Sequence, residues 1–194
     1  FHHHLRNGDQ VMNMVMDEVA SMGITDITVA ASSLFAVHAP LVEHIRTGVI
    51  GAIHTAYMSG PVAQAVSHGM LKRPAVMHTH GARASNIASG KLHIDVAFIA
   101  APTADACGNL NGVDGKSACG TLGYAVADAQ FAACVVAVTD NLVPYPACPI
   151  AISQDLVDFV VEVASIGDPS GILSGTTRAT SDPVGLEIAR TASR

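Results

Sequence analysis

The chain has 194 residues, enough for one domain with a sizeable core, and 49% of them are hydrophobic against 13% charged. Ten Lys and Arg against 16 Asp and Glu give a formal net charge of −6, with no basic run and no interleaving of aromatic and basic residues. That pattern argues against a nucleic-acid surface and against a polybasic membrane patch, and no apolar run reaches membrane-spanning length.

The chain opens at Phe1 without Met and shows no signal-peptide pattern, so a cut-away beginning is one expectation. His2, His3 and His4 have two readings: the remnant of a purification tag, or a native strand end with Arg6, Asn7 and Gly8 as its loop. Val11, Met14, Val15, Val19 and Met22 recur at helical spacing, which predicts a helix over 11–22 closed by Gly23. A strand follows over 26–31, then a helix that Pro40 opens and Gly48 stops, and a strand over 49–54. Pro61 opens a further helix closed by Gly69; 75–79 reads as a strand and 82–88 as a short helix ended by Gly90.

The run from Leu92 to Asn111 is the most telling stretch. An almost unbroken apolar strand, Ile94 to Ala101, leads into a polar loop offering Thr103, Asp105, Asn109 and Asn111 around Gly108 and Gly112. Beyond it come a helical turn near 128–132, a strand over 134–139, a rigid connector over 141–149 with three prolines, an edge strand over 157–163, and a last helix over 183–192 capped by Asp182 or Ser181. Strands alternating with helices predict an α/β fold, a mainly parallel sheet with flanking helices, with residues 1–166 as the domain and 167–194 as an exit segment toward further chain.

Ligands of open α/β sheets bind beyond the carboxyl ends of the strands, and here five strand ends carry polar or small residues. Ser32 and Ser33 follow the first, and His54, Thr55 and Tyr57-Met58-Ser59-Gly60-Pro61 the second. His78 to Arg83 follow the third, Thr103 to Asn111 the fourth, Asp140 and Asn141 the fifth. Ser59-Gly60-Pro61 reads equally as an anion-holding helix start or as a plain Ser N-cap. Arg83 is expected to grip a carboxylate with two hydrogen bonds, being one of only ten basic residues and falling at a strand end. His78 and His80 would share one face of a strand, yet no third ligand stands at metal spacing, so no metal site is expected. His68 and His93 read as ordinary boundary histidines, and Cys107, Cys119, Cys134 and Cys148 as free thiols.

Asp95-Val96-Ala97-Phe98-Ile99-Ala100 followed by Ala104-Asp105-Ala106-Cys107-Gly108-Asn109 resembles the strand-and-loop pattern of the coenzyme A-transferase superfamily. Within it, FHHHLRNGD, NMVMDEVASMGI, VAASSLFAVHAPLVEHI, YMSGPVAQAVSHG, HIDVAFIAAPTAD, NGVDG, TDNLVPYP and IGDP resemble the citrate lyase alpha-chain family over the whole chain. The resemblance implies a CoA-transferase-type α/β domain that exchanges acetyl for citrate on the thioester of an acyl carrier subunit, releasing acetate. It implies no tightly bound cofactor; a CoA-like phosphopantetheine group is supplied by the acyl carrier (gamma) subunit, and a beta subunit cleaves the citryl thioester. It also implies a cytoplasmic oligomer whose facing half-site lies in a second domain not contained in these residues. The nominated substrate-binding residues are His3, His4, Ser59, Gly60, His78, His80, Arg83, Thr103, Asp105, Asn109 and Asn111, with none nominated as catalytic. The alternative is a catalytically inactive docking module for the lyase and carrier subunits. A sugar-phosphate isomerase is disfavoured, because no carboxylate–lysine pair stands at the strand ends.

Overall fold

A computed structural model describes residues 1–2, 4–172 and 180–193. Its first half is built from α1 (Val11–Ser21), β1 (Ile27–Ala30), α2 (Leu41–Arg46), β2 (Ile50–Thr55), α3 (Gly60–Ser67), β3 (Val76–Met77) and α4 (His80–Ala88). Then come β4 (Val96–Ala101), β5 (Thr103–Asp105), β6 (Leu110–Asn111), α5 (Ala125–Phe131), β7 (Cys134–Thr139), β8 (Leu142–Val143), β9 (Phe159–Glu162), α6 (Pro169–Ile172) and α7 (Pro183–Ala192). The fold is α/β with parallel strands and flanking helices. The parallel strands form two separate three-stranded sheets rather than one, in the orders β1-β2-β3 and β4-β7-β9. A third small sheet, β6-β5-β8, is mixed.

Each parallel sheet has its own core. Met12, Met16, Leu41, Ile45 and Val62 of α1–α3 close over Val29, Ile50 and Ile53. Ile87 of α4 and Ala125 and Ala129 of α5 close over Ala97, Ile99, Val135 and Ala137. Alanine is frequent there because helices approach a sheet closely only over small side chains, which also explains how a chain without Trp fills its interior.

Several boundaries differ from the sequence expectation. The strand expected over 75–79 shrinks to Val76–Met77, because the Thr79 hydroxyl accepts the Ala82 N–H at 3.1 Å and starts α4 two residues earlier. His78 and His80 therefore do not share a strand face. The 103–111 loop contains the antiparallel pair β5–β6. The 141–149 connector is not outside the core: β8 pairs with β5, and Ala147 is buried beneath Asp105. The domain also runs past residue 166. Asp168 N–H bonds to Gly8 O at 2.8 Å, and Ile172 of α6 is buried with Leu5 and Ile166.

Candidate functional site

Two hollows stand out on the surface of the described residues. The larger, about 600 Å³, lies between β1 and β4 at their amino ends and is lined mainly by apolar side chains. The smaller, about 210 Å³, is lined by His2, His4, Arg6, Cys119, Thr121, Leu122, Gly123 and Tyr124. His4 touches the carboxyl end of β4, since its Nε2 donates to Ala100 O at 2.6 Å. The smaller hollow thus has both the polar lining and the strand edge at which open α/β sheets bind ligands.

Residues 1–2 and 4–10 are held there by local chemistry. The Phe1 ring stacks on Phe98 of β4, and the rings of His2 and His4 stack at a centroid distance of 4.2 Å. Arg6 takes a positive φ of 52°, which turns the chain sharply. Asp9 then anchors the exit: its Oδ1 accepts the Val11 N–H at 2.9 Å at the start of α1, and its Oδ2 accepts from Nε2 of buried His38 at 3.1 Å. The His38 Nδ1 accepts the Phe35 N–H, which fixes the tautomer that donates to Asp9.

Burial pushes the His4 imidazole below its usual range, outweighing the carbonyl of Ala100, the charge of Asp9 and the backbone of Leu122. A neutral His4 that donates from Nε2 leaves Nδ1 as an acceptor, and that buried atom has no hydrogen-bond partner among the described residues. Burial likewise pushes the Cys119 thiol up to about 11, so it is a thiol and not a thiolate at neutral pH. The lining carries no carboxylate, and Arg6 is its one permanent positive charge among the described residues. Such a pocket suits an anionic ligand.

The residues expected from sequence divide sharply. His4 lines the pocket, and exposed His80 adjoins it through a ring contact with Tyr124 at 5.7 Å; His3 lies outside the described residues. Arg83 does grip a carboxylate with two contacts, but the carboxylate is that of Asp128, at 2.8 and 3.0 Å, and both side chains are buried. The same guanidinium donates to Phe1 O and Ala30 O, tying the amino terminus to β1.

Asp105 is spent inside the chain. Its Oδ1 accepts from the N–H groups of Cys107, Gly108 and Asn109, and its Oδ2 from Asn109 Nδ2 and Ala147 N–H. Burial raises its pKa, but these donors together hold the carboxyl below the usual range. Thr103 accepts from Asn141, Asn109 binds Gln154, and Asn111 Oδ1 accepts the Val113 N–H. Ser59 stands at the N-cap of α3, yet its hydroxyl reaches Leu34 O at 3.5 Å instead of capping, while Gly60 holds a positive φ against Ala36.

His78 meets His54 at 3.4 Å and Asn86 at 3.2 Å, and burial followed by the His78 charge holds His54 below the imidazole range. Among the described residues, no three His, Cys, Asp or Glu side chains gather as a metal site. Sequence reading passed over Thr121, Gly123 and Tyr124, which belong to no strand end. The glycines at 120 and 123 were their only local signal.

A family model described as citrate lyase, alpha subunit, matches residues 1–194. The citrate lyase alpha chain of Escherichia coli strain K12 is 50% identical over 192 residues, covering 99% of this chain and 38% of that protein. The Klebsiella pneumoniae citrate lyase alpha chain is 48% identical over 194 residues, again 38% of its own length. A structure described as an alpha subunit of citrate lyase from Streptococcus mutans, in complex with citrate, superposes with a TM-score of 0.92 at 53% identity, over 99% of this chain and 38% of that one. At the level of fold alone, an Acinetobacter baumannii malonate decarboxylase alpha subunit (TM-score 0.63, 17% identity, 86% of this chain and 30% of that one) and an acyl-CoA transferase of E. coli O157:H7 (TM-score 0.63, 12%, 78% and 40%) are similar. The chain therefore spans 38% of the length of the curated relatives it matches.

Proposed function

From the premise that the chain belongs to the citrate lyase alpha-subunit family, we propose that it is part of a citrate CoA-transferase. That enzyme exchanges acetyl for citrate on an acyl carrier thioester. A citrate carboxylate displaces the carrier thiolate from the acetyl carbonyl, the thiolate recaptures the citryl group, and acetate leaves. One C–S bond breaks and one forms, with no change in net charge. The observation that carries this reading is the 53% identity and TM-score of 0.92 to a citrate-bound alpha subunit across nearly the whole chain.

In this reading the pocket at His2, His4, Arg6, Thr121 and Tyr124 receives the reacting acids. The Arg6 guanidinium pairs with a citrate carboxylate. Neutral His4 keeps a charge out of the buried wall of the pocket, leaving exposed Arg6 as the group that meets the anion. His80, at the pocket's margin beside Tyr124, is a further contact for a polyanion. Rate comes from holding two acyl partners together, and from donors ready for the tetrahedral oxyanion. The prosthetic thiol is a CoA-like phosphopantetheine on a carrier (gamma) subunit. A beta subunit that cleaves the citryl thioester completes a cytoplasmic oligomer. No helix among the described residues is long and apolar enough to cross a membrane.

The test is citrate-dependent release of labelled acetate from acetyl-carrier by the full-length subunit assembled with its partners. Arg6→Ala is expected to raise the KM for citrate at least tenfold, with a smaller effect on kcat. Absence of any exchange by the folded, assembled wild-type protein would sink the proposal and favour an inactive docking module.

A further inference from the structure

Asp140 stands at the carboxyl end of β7, outside the lining of the polar pocket, and its side chain is 0% exposed. A carboxylate that deep needs donors around it. Its Oδ2 accepts from the Ser117 hydroxyl at 3.0 Å and from the Ile166 N–H at 3.0 Å. The Lys116 ammonium stands 3.6 Å from the same oxygen and donates to Ala164 O at 2.6 Å. One carboxylate oxygen thus gathers residues 116–117 and 164–166 at a single point.

Each of those segments supports one wall of the pocket. Ser117 lies in the loop between β6 and α5, which supplies Cys119, Thr121 and Tyr124 to the lining. That loop has little slack. The N–H groups of Cys119 and Gly120 both bond to Gly112 O at 2.9 Å, and a Cβ on Gly112 would lie 2.2 Å from Gly120 O. A shift at Ser117 is therefore passed on toward Thr121 instead of being absorbed. Ile166 supports the opposite wall. Its carbonyl accepts the Gln10 N–H at 3.0 Å, Gly167 bridges to Asp9, and Asp168 N–H bonds to Gly8 O at 2.8 Å. Ile166 is also buried in one cluster with Leu5, the residue between His4 and Arg6.

We propose that Asp140 is a positioning residue for the citrate pocket: its carboxylate ties the wall that carries Arg6 to the wall that carries Thr121 and Tyr124, and so sets the distance between them. The proposal rests on the transferase reading of that pocket. Hydrogen bonds to an ionised carboxylate are shorter and stronger than those between neutral groups, which makes Oδ2 a firm pin. A ligand gripped from two sides needs both sets of contacts within hydrogen-bond reach at once. A misplacement of about 1 Å can then cost on the order of a hundredfold.

A double-mutant cycle tests it, with the full-length subunit assembled with its partners and rates normalised to the folded, assembled fraction. Asp140→Ala is expected to raise the KM for citrate at least fivefold while kcat stays within threefold. Asp140→Asn keeps a carbonyl in the place of Oδ2, and its amide takes the place of Oδ1, which has no hydrogen-bond partner among the described residues. It should bring KM back to within threefold of wild type. In an Arg6→Ala background Asp140→Ala should add less than twofold, because no guanidinium is left to misplace. An unchanged KM with a smaller folded fraction, or the full increase repeated in the Arg6→Ala background, overturns the proposal. If Asp140→Ala does not assemble, Ser117→Ala replaces it, with at least a threefold rise in KM and the same collapse beside Arg6→Ala. Amide exchange in the full-length subunit keeps this proposal apart from the transferase reading. Asp140→Ala should speed exchange at Gln10 and at Cys119 at least tenfold, and an unchanged rate at either amide overturns the tie between the walls. Absence of acetyl exchange by the wild-type protein would sink the transferase reading, while the amide rates still decide whether Asp140 joins the two walls.

Discussion

Arg83 shows how one side chain can satisfy a chemical expectation in an unforeseen way. A guanidinium at a strand end invites a carboxylate, and it has one, but Asp128 of the same chain supplies it inside the core. Removing one partner strands a buried charge, whereas removing both does not. Asp128→Asn is therefore expected to cost roughly 3–5 kcal/mol in urea unfolding, and Arg83→Met with Asp128→Leu to regain most of that loss. The double variant also separates structure from recognition: the KM for citrate of the full-length subunit should stay within about twofold, whereas an Arg83 that held substrate would raise it tenfold or more. Asp105, Asn109 and Thr103 follow the same rule. Their residue types were legible as a polar cluster, but whether such groups face a ligand or one another depends on the backbone N–H groups of Cys107, Gly108 and Ala147, which sequence spacing does not place.

At the level of elements, α6 depends on backbone approach rather than on side-chain attraction. A Cβ on Gly8 would lie 2.3 Å from Asp168 O, and one on Gly171 2.7 Å from Gly8 N, so both glycines are required by space. Gly8→Ala is expected to lift α6 off the first turn of the chain, uncover Ile166 and Ile172, and speed proteolysis after residue 166 by at least tenfold, measured on the intact chain under native conditions. Elements with strong periodicity, α1 and β4 above all, were readable to within a residue or two. Short ones were harder: β3 was expected two to three residues too long, and β5, β6 and β8, of two or three residues each, exist because a neighbour offers a ladder, not because their own side chains alternate. The expected end of the domain at residue 166 fell short for a similar reason. The Gly- and Ser-rich composition after it suits a linker, but Gly is also what close packing on residues 7–8 demands.

For the molecule as a whole, the amino terminus is the keystone between the two halves. The Phe1 ring stacks on Phe98 of β4, while its carbonyl accepts from Ser32 N–H and from the Arg83 guanidinium beside β1. The sequence by itself determined the α/β class, the parallel strands and the family, because hydrophobic periodicity and long matching segments are written residue by residue. It also pointed to the Ile94–Asn111 strand and loop as the place to look. Only the tertiary structure decided that the loop's polar groups close on one another, and that the pocket is assembled by His4, Arg6, Thr121 and Tyr124 at the end of β4. Burial and hydrogen-bond partnership are properties of neighbours in space, and residues 4–6 and 121–124 become neighbours only once the amino-terminal segment is laid between the sheets.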